Sequence, residues 1–340
     1  MSDAPPFWFR PRGALARALA PAGHAYGRVV ARRMVRAPTG SVDVPVVCVG
    51  NLVAGGAGKT PTALALAKRL DALALRPGLL SRGYGGTVRE PTLVRPDHTA
   101  RAVGDEPLML AEHYPTVVSP DRPAGARALV DTGVDVVVMD DGFQNPSLAK
   151  DLSLLVVDAR RGLGNGLVMP AGPLRAPVRA QMARADAIVV IGRGAGVLPP
   201  IRAAARRALP ILRAFTRPLD ADALATRRVV AFAGIGDPDK FFATLEEIGA
   251  ELVERRPFPD HHAFRDEDAS DLLDAAERAD AVLVTTQKDA ARLRHAPGAV
   301  GQLAKAATVL RIELGFEDEA RLAWLLERAV ERARRRRLEA

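Results

Sequence analysis

From Val44 to Gly192 two patterns alternate along the chain. Short unbroken apolar blocks, "VPVVCVG", "GLLS", "TVVS", "VDVVVM", "DLSLLVVDA" and "ADAIVVIG", read as strands. Between them, "PTALALAKRLDAL", "PLMLAEHY" and "DRPAGARALVDTG" return an apolar residue every three or four positions and read as helices. A strand without polar alternation has both faces covered, which is the mark of a parallel sheet between helical layers. A second series begins near residue 211. "RRVVAFAGIGDPDKFFATLEEIG" predicts strand, glycine turn and helix, "ADAVLVTTQKDAARL" repeats that order, and "ATVLRIELGF" predicts a last strand before a terminal helix. The expected fold class is α/β, with two lobes and a cleft between them. There is no internal repeat.

The first forty residues break this pattern. Leu15, Leu19, Tyr26, Val29, Val30 and Met34 recur at roughly helical spacing, with Pro21 and Gly23 as breaks, so two short amphipathic helices are expected after the Phe7-Trp8-Phe9 cluster. Seven arginines stand here against one aspartate, and the last ten residues carry five arginines against two glutamates. The two ends together thus exceed the net charge of +8, and the body is slightly negative, close to neutral. A nucleic-acid enzyme would more often carry a basic stripe across its body. Basic amphipathic ends suit an anionic membrane surface on which they lie without crossing it. The bland alternative is that the helices pack on the body with solvated arginines. The C-terminal arginine run reads as a solvated helix end. No apolar run approaches the ~20 residues of a membrane span, and no signal peptide is read. Cys48 stands alone in a strand and reads as a buried thiol, which fits a reducing cytoplasm.

The first predicted strand runs into "NLVAGGAGKTP". Small residues let backbone N–H groups close around an anion, and the following helix adds partial positive charge. The loop departs from G-x-x-x-x-G-K-[ST], because Val53 stands where the first glycine belongs. Strand and helix supply the missing context, and the fold expected is a P-loop NTPase-like sheet. Gly55, Gly56, Ala57, Gly58, Lys59, Thr60 and Pro61 form the candidate nucleotide site, with Lys59 on the β/γ-phosphates and Thr60 on Mg²⁺. Asp140 and Asp141 end the apolar strand "VDVVVM", where such an enzyme needs a metal carboxylate. Guanine readers use "[NT]-K-x-D". In "TTQKD" Lys288 directly precedes Asp289, so ATP is favoured.

Two further features have both a bland and a chemical reading. Asp105-Glu106 before Pro107 suits a helix N-cap as well as catalysis. His261 and His262 adjoin in "PDHHAF", as a general base or its support.

In order along residues 45–295, "GNLVAGGAGKTP", "SRGYGG", "VGDEPLML", "DDGFQ", "PAGPLRAP", "PDHHAF" and "TTQKDAARL" closely resemble the tetraacyldisaccharide 4′-kinases of lipid A biosynthesis. The basic aromatic N-terminus resembles that family's membrane-contacting helix. The resemblance implies transfer of the γ-phosphoryl of ATP to the 4′-hydroxyl of a tetraacylated glucosamine disaccharide 1-phosphate. The enzyme would be a peripheral monomer on the cytoplasmic face of the inner membrane of a Gram-negative cell. It implies Asp105 as base with His261 in support, and Glu106 beside Thr60, Asp140 and Asp141 around Mg²⁺. Arg82, Tyr84, Arg122, Gln144 and Arg175 would line the sugar-phosphate side. Either histidine of the pair fits the motif; His261, directly after Asp260, is preferred. Thr286, Gln287, Lys288 and Asp289 either contact the nucleotide or close the lobe interface. The domains expected are a membrane-contacting segment 1–40, a P-loop kinase domain 41–210, and a second lobe 211–340 with the C-terminal helix. A metal-loading or partitioning ATPase would need a second loop lysine where Ala54 stands, and a nucleotide-gated adaptor would not need Asp105 or the histidine pair.

Overall fold

The computed structural model describes residues 4–339. In chain order the strands are β1 (Val46–Asn51), β2 (Pro77–Ser81), β3 (Thr92–Leu93), β4 (Thr116–Val118), β5 (Val136–Asp140), β6 (Leu152–Asp158), β7 (Ala187–Ile191), β8 (Ile211–Pro218), β9 (Arg228–Ala233), β10 (Glu251–Pro257), β11 (Val282–Thr286), β12 (Thr308–Leu310) and β13 (Ile312–Phe316). Nine form one sheet in the order β13-β8-β7-β6-β1-β5-β2-β4-β3, and four form a second in the order β10-β9-β11-β12. Pairing is parallel except at the two edges of the large sheet, β13 on β8 and β3 on β4.

The unbroken apolar strands are buried on both faces, as their pattern requires. Val46 and Cys48 of β1 pack into one core with Met139, Leu129 and Met34. Val47 and Val49, pointing the other way, pack with Leu66 and Leu70 of the helix Lys59–Ala72 and with Leu322 and Leu326 of the helix Glu319–Glu339. Burial raises the Cys48 thiol to about 11, so it stays protonated and inert.

The sheets divide differently from the expected boundary at residue 210. β8 pairs in parallel with β7, and β13 returns to pair with β8. The second sheet is thus built only from residues 228–310, between two strands of the first. "ATVLRIELGF" is likewise two strands in two sheets, with Arg311 at the crossing. Arg311 joins the outgoing crossing, since Leu219 N–H donates to its carbonyl and its guanidinium donates to both oxygens of Asp220.

The N-terminal segment also differs. It is a short 3₁₀ turn, Pro6–Phe9, and a single helix, Ala14–Met34, with Pro21 inside it. A proline within a helix gives up one backbone hydrogen bond. Packing offsets this: Ala16, Gly23, Gly27 and Met34 form the buried stripe, and a Cβ on Gly23 would lie 2.5 Å from the Val168 carbonyl oxygen.

The C-terminal arginines are not merely solvated. Arg332 donates to the Asp151 carbonyl and to Asp186, Arg336 pairs with buried Asp151 and donates to the Val42 carbonyl, and Arg337 donates to the Asp43 carbonyl. Arg336→Ala leaves Asp151 with its Val46 N–H donor but without its adjoining charge. It is expected to cost about 1–3 kcal/mol in urea unfolding. A midpoint unchanged from that of the unaltered chain would mean that the staple contributes nothing.

Candidate active site

The phosphate loop leaves β1 at Asn51, whose side-chain amide donates to the Gly55 carbonyl and shapes the turn. Gly58 has φ +85°, and a Cβ there would lie 2.5 Å from Ile191 Cδ1, so both conformation and space require glycine. Lys59 and Thr60 open the helix Lys59–Ala72 directly afterwards. β5 lies beside β1 and delivers Asp140 and Asp141 to the same sheet end.

The Thr60 hydroxyl donates to Asp140 Oδ2 at 3.1 Å, and Lys59 Nζ lies 3.8 Å from Asp141 Oδ2. Arg175 reaches the same Asp141 oxygen at 3.2 Å and donates to the Val53 carbonyl. Burial, then repulsion from Glu106, raises Asp140 to about 7. Burial opposes ionisation of Asp141 too, but the Lys59, Arg175 and Arg122 charges hold it below the usual carboxylate range. Oδ1 of both aspartates is buried without a protein partner. Among the described residues no three His, Cys, Asp or Glu side chains converge as a self-sufficient metal site. The donors fit Mg²⁺ nonetheless, since that ion takes one or two carboxylates and fills its octahedron with nucleotide oxygens and water. Orphaned carboxylate oxygens beside a hydroxyl supply such a partial set.

The second carboxylate pair faces this loop from the helix Asp105–Ala111. Gly104, not Asp105, holds the N-cap position. With φ +94° and a Cβ position 2.8 Å from the Tyr84 carbonyl oxygen, it lets the Arg82–Tyr84 loop close on the helix. Asp105 is 5 % exposed. Its Oδ2 lies 3.0 Å from His261 Nδ1 and accepts from Arg292 Nε at 2.9 Å and Nη2 at 2.5 Å, while Oδ1 accepts the Glu106 N–H. Burial would raise its pKa, but the His261 hydrogen bond and the Arg292 and Lys288 charges hold it well below the usual range. Bonding to Asp105 in turn raises His261. Glu106 pairs with Lys288; against burial, Lys288 and Lys59 keep Glu106 low.

The histidine pair separates cleanly. His261 takes a left-handed φ of +60°, turns its ring to Asp105, and contacts the Tyr84 ring at 5.7 Å between centroids. Its Nε2 lies 3.9 Å from Asp260. His262 bonds Asp268 at 2.9 Å and stacks on Phe258, a structural role.

Thr286 and Asp289 brace the second lobe's side of the cleft, and Thr286 also lines the cavity. The Thr286 hydroxyl donates to Asp289 Oδ2 at 2.6 Å, and fully buried Asp289 accepts the Gly234 N–H and Arg292 Nη1. Lys288 and Arg292, one turn apart on the helix Gln287–Leu293, therefore meet Glu106 and Asp105 in adjacent pairs. The sequence signal for this was the four-residue spacing of two cations within "QKDAAR".

Two expected substrate contacts point elsewhere. Arg122 is 2 % exposed and donates to the Ser119 and Asp140 carbonyls, bracing the aspartate turn from behind. Gln144 donates to the Asn51 carbonyl and to Gln181, tying the same turn to the phosphate loop. Arg82 and Tyr84 stay exposed at the cleft.

A cavity of about 230 Å³ lies between the lobes. One wall is the phosphate loop from Gly56 to Pro61, and the other includes Ile235, Asp237, Phe241 and Lys288.

A phosphate loop, a strand-end carboxylate pair and an anchored third carboxylate in one cleft are the parts of a phosphoryl-transfer enzyme. Comparison with known proteins agrees. The family model described as tetraacyldisaccharide-1-P 4′-kinase matches residues 15–331. A tetraacyldisaccharide 4′-kinase of Rhizobium etli is 48% identical over 339 residues, covering 99% of this chain and 98% of the relative. That of Brucella melitensis biotype 2 is 48% identical over 336 residues, covering 98% of each. The crystal structure of LpxK from Aquifex aeolicus, described as a complex with ATP, superposes with a TM-score of 0.72 at 26% identity, over 93% of this chain and 99% of that one. With site, fold and relatives in accord, this chain belongs to the tetraacyldisaccharide-1-P 4′-kinase family.

Proposed function

We propose that this cleft moves the γ-phosphoryl of ATP onto the 4′-hydroxyl of a tetraacylated glucosamine disaccharide 1-phosphate. The observation that carries the reading is Asp105, a buried ionised carboxylate held by His261 and adjoining Glu106, which lines the same cleft as the phosphate loop. The adenine of the nucleotide would sit against the apolar wall of Ile235 and Phe241, and the phosphates in the loop from Gly55 to Thr60, with Lys59 drawing charge off the transferring group. Thr60, Asp140 and Asp141 would hold Mg²⁺, with Glu106 at its margin. When bound, the ion neutralises phosphate charge and orients the γ-group. The acceptor hydroxyl comes in from the Arg82, Tyr84 and Arg175 side and gives its proton to Asp105. A carboxylate held this low is a weak base, which suits a loose transition state where the hydroxyl keeps its proton until the phosphoryl has largely moved. ATP consumption that rises on adding the disaccharide precursor supports the reading. Consumption indifferent to it would refute the acceptor.

The same reading places the enzyme as a peripheral monomer on the cytoplasmic face of the inner membrane. No helix among the described residues is long and apolar enough to cross a membrane. Leu15, Tyr26 and Val29 are exposed on the helix Ala14–Met34, about a quarter to two-fifths of a turn round from its buried stripe. Arg32 and Arg33, exposed in the last turn, neighbour Val29 at i+3 and i+4, as in a helix lying at a lipid surface. Val29→Asp is expected to lower flotation with anionic vesicles while leaving ATP affinity alone. Equal flotation of both forms would argue that the helix serves only to pack.

A further inference from the structure

Asp105 belongs to the first lobe, yet the side chains that fix its Oδ2 come from the second. The stronger of the two anchors is Arg292, which sequence motifs did not single out. Its side chain is 7 % exposed, against 5 % for Asp105, so the pair meets with little water between. Nε and Nη2 both donate to Asp105 Oδ2. Nη1 is turned the other way, donating to the Gly234 carbonyl at 2.6 Å and to Asp289 Oδ1 at 2.7 Å. Nη2 also lies 3.5 Å from His261 Nδ1, so Arg292 backs the Asp105–His261 contact from one side.

The support behind Arg292 is built to hold it still. Asp289 is fully buried, and both its oxygens accept the Gly234 N–H while the Thr286 hydroxyl donates to one of them. Gly234 leaves no room for more. A Cβ there would lie 3.1 Å from Asp289 Oδ1, 3.2 Å from His262 Cβ and 3.3 Å from Arg292 Nη1. The guanidinium is thus locked by the β9 turn and its own helix before it meets Asp105. A lysine has one donor nitrogen at a point and cannot hold both sets of acceptors with a planar fork.

We propose that Arg292 is the positioning residue of this site, fixing the Asp105 carboxylate across the lobe interface so that it faces the acceptor hydroxyl. The inference rests on the assignment of Asp105 above. Arg292 touches neither nucleotide loop nor metal carboxylates, so its effect should fall on turnover. A misplacement of about 1 Å at a reacting group costs up to about 10²-fold in rate.

The test is a double-substitution cycle on the full chain, with kcat and the KM for ATP measured for Arg292→Ala, Asp105→Asn and both together. Arg292→Ala should lower kcat by about 10–100-fold with the KM for ATP within about threefold. In the Asp105→Asn background the same change should cost less than about twofold, because its target is gone. Arg292→Lys, which keeps the charge and removes the fork, should recover only part of the loss, and it carries the test if the alanine variant fails to fold. Arg292→Ala or Arg292→Lys with wild-type kcat overturns the proposal, as does a loss that multiplies unchanged with that of Asp105→Asn. An active Asp105→Asn enzyme would instead overturn the reading beneath it. An inactive one beside a fully active Arg292→Ala overturns the proposal alone.

Discussion

Asp105→Asn is expected to lower turnover by about 10²–10⁴-fold while leaving ATP affinity within a few-fold. Asparagine has nearly the same shape and keeps one acceptor oxygen, so His261 or Arg292 retains a partner. It has no basic oxygen to take the proton of a sugar hydroxyl, whose pKa lies far above neutrality. The substitution is not free for the fold. Arg292 is buried and loses the charge that faces it, though Asp289 remains at its other arm. A stability loss of about 1–3 kcal/mol is expected, so activity must be read well below the melting temperature. His261→Ala should cost less, because it removes one of several donors to Asp105 while the carboxylate stays in place. Steady-state kinetics with both variants checks the order. Near-wild-type turnover of Asp105→Asn would move the base elsewhere, to Asp140 or His261.

Lys59→Ala is expected to reduce transfer by at least about 10²-fold, since charge neutralisation on the transferring phosphoryl is most of what such a site supplies. The structure adds a second consequence. Lys59 lies 3.8 Å from Asp141, and its charge helps to keep both Asp141 and Glu106 ionised. Its loss should therefore also let the pKa of both carboxylates rise, seen as an upward shift of the acid limb in the pH profile of the residual rate. Circular dichroism should report an intact fold, because Lys59 stands at a loop end and not in the core. Rapid turnover in this variant would remove the phosphate-loop reading.

What the sequence showed and what it hid divide along a physical line. The phosphate loop, the strand before it and the helix after it are contiguous, so spacing alone carries them. Asp140-Asp141 announces itself at the end of an apolar run. Arg292 and Asp105 lie 187 residues apart, and nothing local in either segment names the other. Adjacent histidines look alike in sequence. The left-handed backbone at His261 sends the two rings apart, one to Asp105 and one to Asp268. Pro21 reads as a helix break by propensity. The buried Gly23–Gly27 stripe holds the helix through it, because packing outweighs one lost hydrogen bond. β8 escaped notice because "ILRAFTRP" lies near a sheet edge and alternates buried with exposed residues, unlike the strands inside.

The central claim is that one hydroxyl of one acceptor receives the phosphoryl group, under the control of Asp105. The most direct test supplies γ-labelled ATP and the tetraacylated disaccharide 1-phosphate to the full chain and to Asp105→Asn. The position of the new phosphate is then read by phosphorus–proton correlation NMR. The account predicts a single product labelled at the 4′ oxygen, formed by the unaltered chain and reduced at least about 10²-fold in the variant. Label released only as inorganic phosphate, or found at another oxygen, would contradict it.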